Sequence, residues 1–86
     1  MNKIHFEMFS YSGERACQSL VNRITKKIQG IKRVTADEIK KLVEEGMNKI
    51  AVKHGEVFDT EPQYHIEKAV NNAMVEAGYQ KIYDWQ

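Results

Sequence analysis

The chain is poor in the residues that build covalent or metal-based frameworks. It has one cysteine, Cys17, in 86 residues, so it cannot form an internal disulfide, which is typical of a reducing compartment. The three histidines, His5, His54 and His65, are far apart in the sequence, and no Cys/His cluster has a metal-ligand spacing. We therefore predict no metal site and no cofactor, and we expect Cys17 to be a buried structural thiol.

Long apolar runs and a secretory signal are also absent. No stretch approaches the roughly 18 apolar residues that a membrane-spanning helix needs. Residues 1–12 mix Lys3, His5 and Glu7 with the apolar residues, so no hydrophobic signal region exists. We expect a soluble, cytoplasmic protein with no membrane partner. Met1 suggests a complete small protein.

Catalytic signatures and an excess of one charge are missing too. No nucleophile–base set and no isolated carboxylate pair stands out, so we do not expect an enzyme. The formal net charge of +1 excludes a uniformly basic nucleic-acid binder and a strongly acidic DNA mimic. The charge is unevenly distributed, however. Residues 1–35 hold seven basic and two acidic side chains, whereas residues 36–86 hold six basic and ten acidic ones.

Hydrophobic periodicity predicts three helices and two terminal strands in a single domain, residues 1–86. Ile4, Phe6 and Met8 alternate with polar residues, which predicts a strand. Helical spacing predicts helices over about 13–29, 36–53 and 60–77, with Ser12 as a possible first N-cap and Gly78 as the last stop. Thr35-x-x-Glu38 has the spacing of a capping box.

The aromatic C-terminal segment, residues 79–85, alternates between two faces and predicts the second strand. The resulting fold class is α+β and helix-rich, β-α-α-α-β, with three helices packed around a small two-stranded terminal sheet. The alternative is an all-α three-helix domain with extended tails, because a two-stranded sheet is only marginally stable without cover.

One segment resembles a known family. Residues 50–70 contain Val52-Lys53-His54-Gly55, then Phe58-Asp59, and then Ile66 and Ala69-Val70. The segment resembles the opening hairpin and helix of the ATP-cone, a nucleotide-binding regulatory domain of ribonucleotide reductases. An ATP-cone continues with several more helices, whereas only a short tail follows here. No functional residue is therefore carried over from the family.

The junction before the first predicted helix is a candidate anion site. Ser10, Tyr11, Ser12 and Gly13 join the predicted strand to the helix, where backbone N–H groups and a partial positive charge attract anions. Gly13 lets a ligand approach the backbone closely. An ordinary capped helix start is the simpler interpretation of this segment.

A basic stripe on the first helix extends that candidate site. Arg15, Ser19, Arg23 and Lys26 lie on one face, beside uncharged amide side chains and without interleaved acids. Such a face suits phosphate groups or an acidic protein surface. A solvated face that keeps the protein soluble is the competing interpretation, and we place Lys27 at the opposite edge, against the apolar face.

Candidate interface residues lie in the second half of the chain. Tyr64 and Val75 project away from the predicted core of the third helix, together with Lys68 and Asn71. They predict a partner or self-association surface. Tyr79, Tyr83 and Trp85, near the C-terminus, could stack on bases, line an oligomer interface or close the small core.

These features together predict a small non-enzymatic binding or regulatory protein that engages an anionic partner. The partner would be a nucleotide, another phosphate-bearing ligand or an acidic protein surface. Small size suggests a phage- or plasmid-type inhibitor or sequestering factor. The first alternative is a homo-oligomeric structural or adaptor protein, and the charge asymmetry favours head-to-tail oligomers. Nucleic-acid binding is a weaker alternative, because the total charge is low.

Overall fold

A computed structural model describes residues 11–54 and 60–84, and in this part of the chain all regular secondary structure is helical. The helices are α1 (Tyr11–Ile28), α2 (Ala36–His54) and α3 (Thr60–Glu76). The β-α-α-α-β prediction is therefore wrong, and the all-helical alternative describes the fold.

Helix α1 forms the centre of the domain and packs against both α2 and α3. Its apolar residues recur at helical spacing and bury one face. Glu14 in the first turn and Lys26 and Lys27 in the last turn have the charge order that the helix dipole favours. The helix already includes Ser12, so the prediction of Ser12 as the N-cap is wrong.

Helix α2 starts at a side-chain cap and approaches α1 closely. The Glu38 N–H donates to Thr35 Oγ1 at 3.2 Å, as the capping box predicts. Further along, a Cβ at Gly46 would collide with Leu20 Cδ1, and it would lie 2.8 Å from Leu20 Cδ2. The absence of a side chain at Gly46 therefore sets how close the two helices lie.

Helix α3 ends in a Schellman motif at the predicted stop. Gly78 has φ +93°, a conformation that glycine adopts without steric cost. The Tyr79 N–H donates to the Met74 carbonyl at 2.8 Å, and the Gly78 N–H donates to the Val75 carbonyl at 3.0 Å. The reversed chain then runs back towards α2.

The core is a single cluster in which all three helices take part. Cys17 lies in it with no exposed surface, as predicted. Its buried apolar residues are Cys17, Leu20, Val21, Ile24, Ile28, Val34, Ile39, Val43, Ile50, Ile66, Val70, Ala73 and Met74. Burial of these side chains supplies the main stabilising free energy of the domain.

The C-terminal tail, residues 79–84, folds back onto the helices and is held by one buried side chain. Asn71, only 4% exposed, accepts hydrogen bonds at Oδ1 from the N–H groups of Ile82 and Tyr83, both at 2.9 Å. Its Nδ2 donates to the Tyr83 carbonyl at 2.8 Å. The tail is also tied to the α1–α2 link, because the Val34 N–H donates to the Tyr79 hydroxyl at 3.1 Å.

This anchoring explains why the predicted second strand is wrong. The tail has no strand structure, because Asn71 satisfies backbone groups that a neighbouring strand would otherwise pair. Instead of lying along a strand, the Tyr79 and Tyr83 rings each lie near a different cation. The Arg33 guanidinium lies 4.9 Å from the Tyr79 ring centre, and the Lys40 ammonium lies 5.7 Å from the Tyr83 ring centre. The predicted first strand lies outside the described residues.

The segment that resembles an ATP-cone does not begin with a hairpin. Val52, Lys53 and His54 are the last residues of α2, so they cannot form the first strand that the resemblance implies. Gly55 and Phe58-Asp59 lie outside the described residues.

Alkaline pH is expected to loosen the tail at Tyr83. Burial, with smaller contributions from Glu67 and Glu44, raises the pKa of the Tyr83 phenol well above its ordinary value of about 10. The folded state therefore holds this proton more tightly than the unfolded state. The corresponding stabilisation is complete below pH 10 and is lost as the pH rises above that value.

The urea midpoint of the wild type should fall between pH 9 and pH 11, and in Tyr83→Phe it should fall less. Lysines titrate in both proteins, so only the difference between the two curves reports on Tyr83. If the urea midpoints of the two proteins fall in parallel as the pH rises, the Tyr83 phenol makes no such contribution to stability.

Candidate functional site

A groove of about 310 Å³ runs between α1 and α2. Each helix contributes four residues with the same i, i+3, i+4, i+7 spacing, which is one face of a helix. The lining residues are Leu20, Arg23, Ile24 and Lys27 from α1 and Leu42, Glu45, Gly46 and Lys49 from α2. The groove therefore follows directly from the packing of two regular helices against each other.

The floor of the groove is apolar. Leu20 and Ile24 are each 2% exposed, and Leu42 is half-buried. Gly46 adds no side chain to the floor, and the methyl groups of Leu20 occupy the space where its Cβ would lie. The methylene stems of the basic side chains at the edges extend this apolar surface.

The rim of the groove is predominantly basic. Arg23 and Lys27 come from α1, Lys49 comes from α2, and Glu45 is the single acid among the lining residues. All four are exposed. Within residues 11–54 and 60–84 none of these four side chains forms an ion pair. The rim therefore carries an uncompensated positive charge beside a low-dielectric floor, which strengthens its attraction for anions.

This arrangement can bind an anion that has an apolar part. Guanidinium and ammonium groups donate charge-assisted hydrogen bonds to phosphate, sulfonate or carboxylate oxygens. The apolar floor can cover an aliphatic or aromatic body.

Among the predicted anion-site residues that the structure describes, Arg23 alone lines this groove. Arg15, Ser19 and Lys26 are exposed, but they do not line it. The amides beside the basic stripe bind one another, since Gln18 Nε2 donates to Asn22 Oδ1 at 2.9 Å.

The predicted anion site at the start of α1 is only partly described. Ser12 is exposed in the first turn, whereas Gly13 is buried and offers no open surface to a ligand. Ser10 lies outside the described residues, as does the side chain of Tyr11.

Sequence reasoning missed Lys27, Lys49 and Glu45. Lys27 was placed against the apolar face, and the structure shows that this position is the edge of the groove. Glu45 and Lys49 have opposite charges at i,i+4 spacing, a pattern typical of a solvated helix face. A usable signal was present, because the lining residues of both helices share one spacing and flank apolar positions.

The predicted interface residues do not form one open surface. Val75 is 51% exposed, but Tyr64 is half-buried, and the Lys68 ammonium lies 5.6 Å from its ring centre. Tyr83 is half-buried where the tail packs against the helices. Trp85 lies outside the described residues. Asn71, predicted on the same outward face as Tyr64, is instead buried beneath the tail.

The comparisons with known proteins add no assignment. No protein-family model matches the chain, and no match was found among curated proteins or among solved structures. Within residues 11–54 and 60–84, no helix has the length and apolar character needed to cross a bilayer. The same residues contain no cluster of three or more His, Cys, Asp or Glu side chains that could hold a metal ion.

Proposed function

We propose that this protein is a small non-enzymatic binding protein that engages an anionic partner through the groove between α1 and α2. One observation carries the proposal: Arg23, Lys27 and Lys49 surround an apolar floor without ion-pair partners in the described chain. Bringing like charges together costs free energy, and an anion bound between them would recover it.

We place the anionic partner inferred from the sequence in the groove instead of on the exposed stripe of α1. Arg23 belongs to both the sequence-based stripe and the groove, whereas Lys26 belongs to the stripe alone. A binding protein of this kind would regulate its ligand by sequestering it. We place it in the cytoplasm, because its single cysteine is a buried thiol.

Self-association through Tyr64 and Val75 has less support. Lys68 already covers part of the Tyr64 ring, which leaves Val75 as a single half-exposed apolar side chain, and isolated apolar residues are common on protein surfaces. Nucleic-acid binding requires a larger continuous basic surface than this groove provides.

The proposal can be tested with two neighbouring charge reversals. Lys26 and Lys27 share the last turn of α1, so Lys26→Glu and Lys27→Glu change the net charge and the helix dipole interaction equally. Only Lys27 lines the groove. The anionic dye 1-anilinonaphthalene-8-sulfonate should bind the wild type with enhanced fluorescence, and Lys27→Glu should weaken binding about tenfold.

Lys26→Glu is the matched control and should retain binding within about twofold, since a charge outside the groove is screened by salt. Circular dichroism would confirm that both variants remain folded. Equal loss in the two variants would favour the exposed stripe over the groove. Unchanged binding in Lys27→Glu would refute the proposed site.

A further inference from the structure

We infer that the ligand of this groove is a small aryl or heteroaryl monophosphate that carries a hydrogen-bond donor on its ring. The inference rests on the proposed function and names the chemical class of its ligand. The ligand would have three parts: an anionic group that binds the basic rim, a flat apolar body that covers the floor, and a hydrogen-bond donor for Glu45.

The size of the groove favours a small molecule. Its volume of about 310 Å³ lies at the lower end of the roughly 300–1,000 Å³ that is usual for small-ligand pockets. A partner helix would need a longer apolar trough, because it buries residues from several successive turns. Here the apolar floor is limited to Leu20, Ile24, Leu42 and the bare backbone at Gly46.

The shape of the groove favours a flat body. The floor is walled on one side by Arg23 and Lys27 and on the other by Lys49. Long basic side chains lay their methylene stems along an apolar surface while their charged ends reach the solvent. A planar ring between these stems gains contact on both faces, and an arginine guanidinium can also stack on an aromatic ring.

The three cations favour a phosphate monoester as the anionic group. At neutral pH a phosphate monoester carries a charge of about −1.5 to −2 and three acceptor oxygens. It can therefore be shared by cations from both walls. A carboxylate has two acceptor oxygens and a single charge, so it would satisfy fewer of the rim donors.

The acid on the rim makes the charge around the groove uneven. Glu45 is exposed and without an ion-pair partner within the described residues, so its carboxylate repels a second anionic group. It can also accept a hydrogen bond from a ring amine. The ligand class thus includes an amino-substituted phenyl phosphate and a nucleoside monophosphate whose base carries an amine.

Displacement of the bound dye measures this selectivity. We expect 4-aminophenyl phosphate to displace 1-anilinonaphthalene-8-sulfonate at about threefold to tenfold lower concentration than phenyl phosphate, as expected for one charge-assisted hydrogen bond. Inorganic phosphate should be weaker than either compound, because it has no apolar body. Adenosine 5′-monophosphate tests the heteroaryl members of the class and should compete more strongly than purine riboside 5′-monophosphate, whose base carries no hydrogen-bond donor.

Glu45→Ala separates the role of the acid from general charge effects. The variant should bind phenyl phosphate more tightly than the wild type, because a repulsive charge is gone. Its preference for 4-aminophenyl phosphate should fall to about onefold. Lys41→Ala, on a residue of α2 outside the groove, is the control and should leave both affinities unchanged.

The outcomes separate the two proposals. Loss of dye binding in Lys27→Glu, combined with equal potency of inorganic phosphate and phenyl phosphate, would retain the anion site and overturn the ligand class. A preference that persists in Glu45→Ala would overturn the role of Glu45. Displacement by an acidic peptide but by none of the phosphates would identify a protein partner and overturn the inference.

Discussion

Replacing Asn71 by alanine is expected to lower the free energy of unfolding by about 2–4 kcal/mol. The substitution removes three hydrogen bonds at once, two from backbone N–H groups and one to the Tyr83 carbonyl. It also leaves those backbone groups unpaired where the tail is half-buried. Solvation of the released tail limits the loss, because these groups can regain hydrogen bonds to water.

Chemical denaturation of Asn71→Ala gives the size of this effect, and hydrogen exchange at Ile82 and Tyr83 gives its location. The two amides should lose protection more than amides in the centre of α1, because the tail is released before the helices unfold. Asn71→Asp is the matched control. Its carboxylate still accepts from both N–H groups but faces the Tyr83 carbonyl without a donor, so its stability should lie between those of the wild type and Asn71→Ala.

An Asn71→Ala protein as stable as the wild type would contradict the account of the tail. Unchanged protection at Ile82 and Tyr83 would lead to the same conclusion. In either case, other contacts such as the Tyr79 hydroxyl would have to hold the segment in place.

Replacing Gly46 by alanine is expected to destabilise the domain by about 1–3 kcal/mol, although alanine is the better helix former. The added Cβ would lie well inside contact distance of both Leu20 methyl groups. Leu20 is 2% exposed and packed in the core, so it has little room to move. Overpacking should therefore outweigh the gain of about 1 kcal/mol in helix propensity.

A double-mutant cycle with Leu20→Val isolates this contact. Valine lacks the Cδ atoms that the new Cβ would meet, and its own cost should be about 1 kcal/mol. The double variant should lose less stability than the sum of the two single losses, with a coupling of about 1 kcal/mol or more. A Gly46→Ala protein that is more stable than the wild type would contradict the close approach of α1 and α2.

Local sequence signals were sufficient for the helices. Apolar residues at helical spacing identified the buried faces of all three, and Thr35 and Gly78 marked a start and an end that the structure confirms. These features depend on neighbours within a few residues, so a single sequence carries them.

The tail could not be predicted in the same way. Its conformation depends on Asn71, which lies 11–12 residues earlier in the chain. Helical periodicity had placed this polar side chain in solvent. The spacing of tyrosines in the tail resembled a strand, whereas in the structure the two rings lie near two different cations. Periodicity cannot distinguish such side-chain anchoring from strand pairing.

The sequence predicted only part of the groove. The charge pattern of the first helix pointed to Arg23, but it could not show that Lys27 and Lys49 would line the same recess. That juxtaposition depends on the packing of α1 against α2, which Gly46 allows to be close. Assigning residues to one helix at a time therefore favoured an exposed stripe over a site shared by two helices.

The central claim is that an anion binds between α1 and α2, and amide chemical-shift mapping with 1-anilinonaphthalene-8-sulfonate tests it most directly. We expect the largest shifts at Arg23, Lys27 and Gly46, with the affected residues on both helices. Shifts confined to Arg15, Ser19 and Lys26 on the outer face of α1 would contradict the claim, and so would the absence of saturable shifts at the groove.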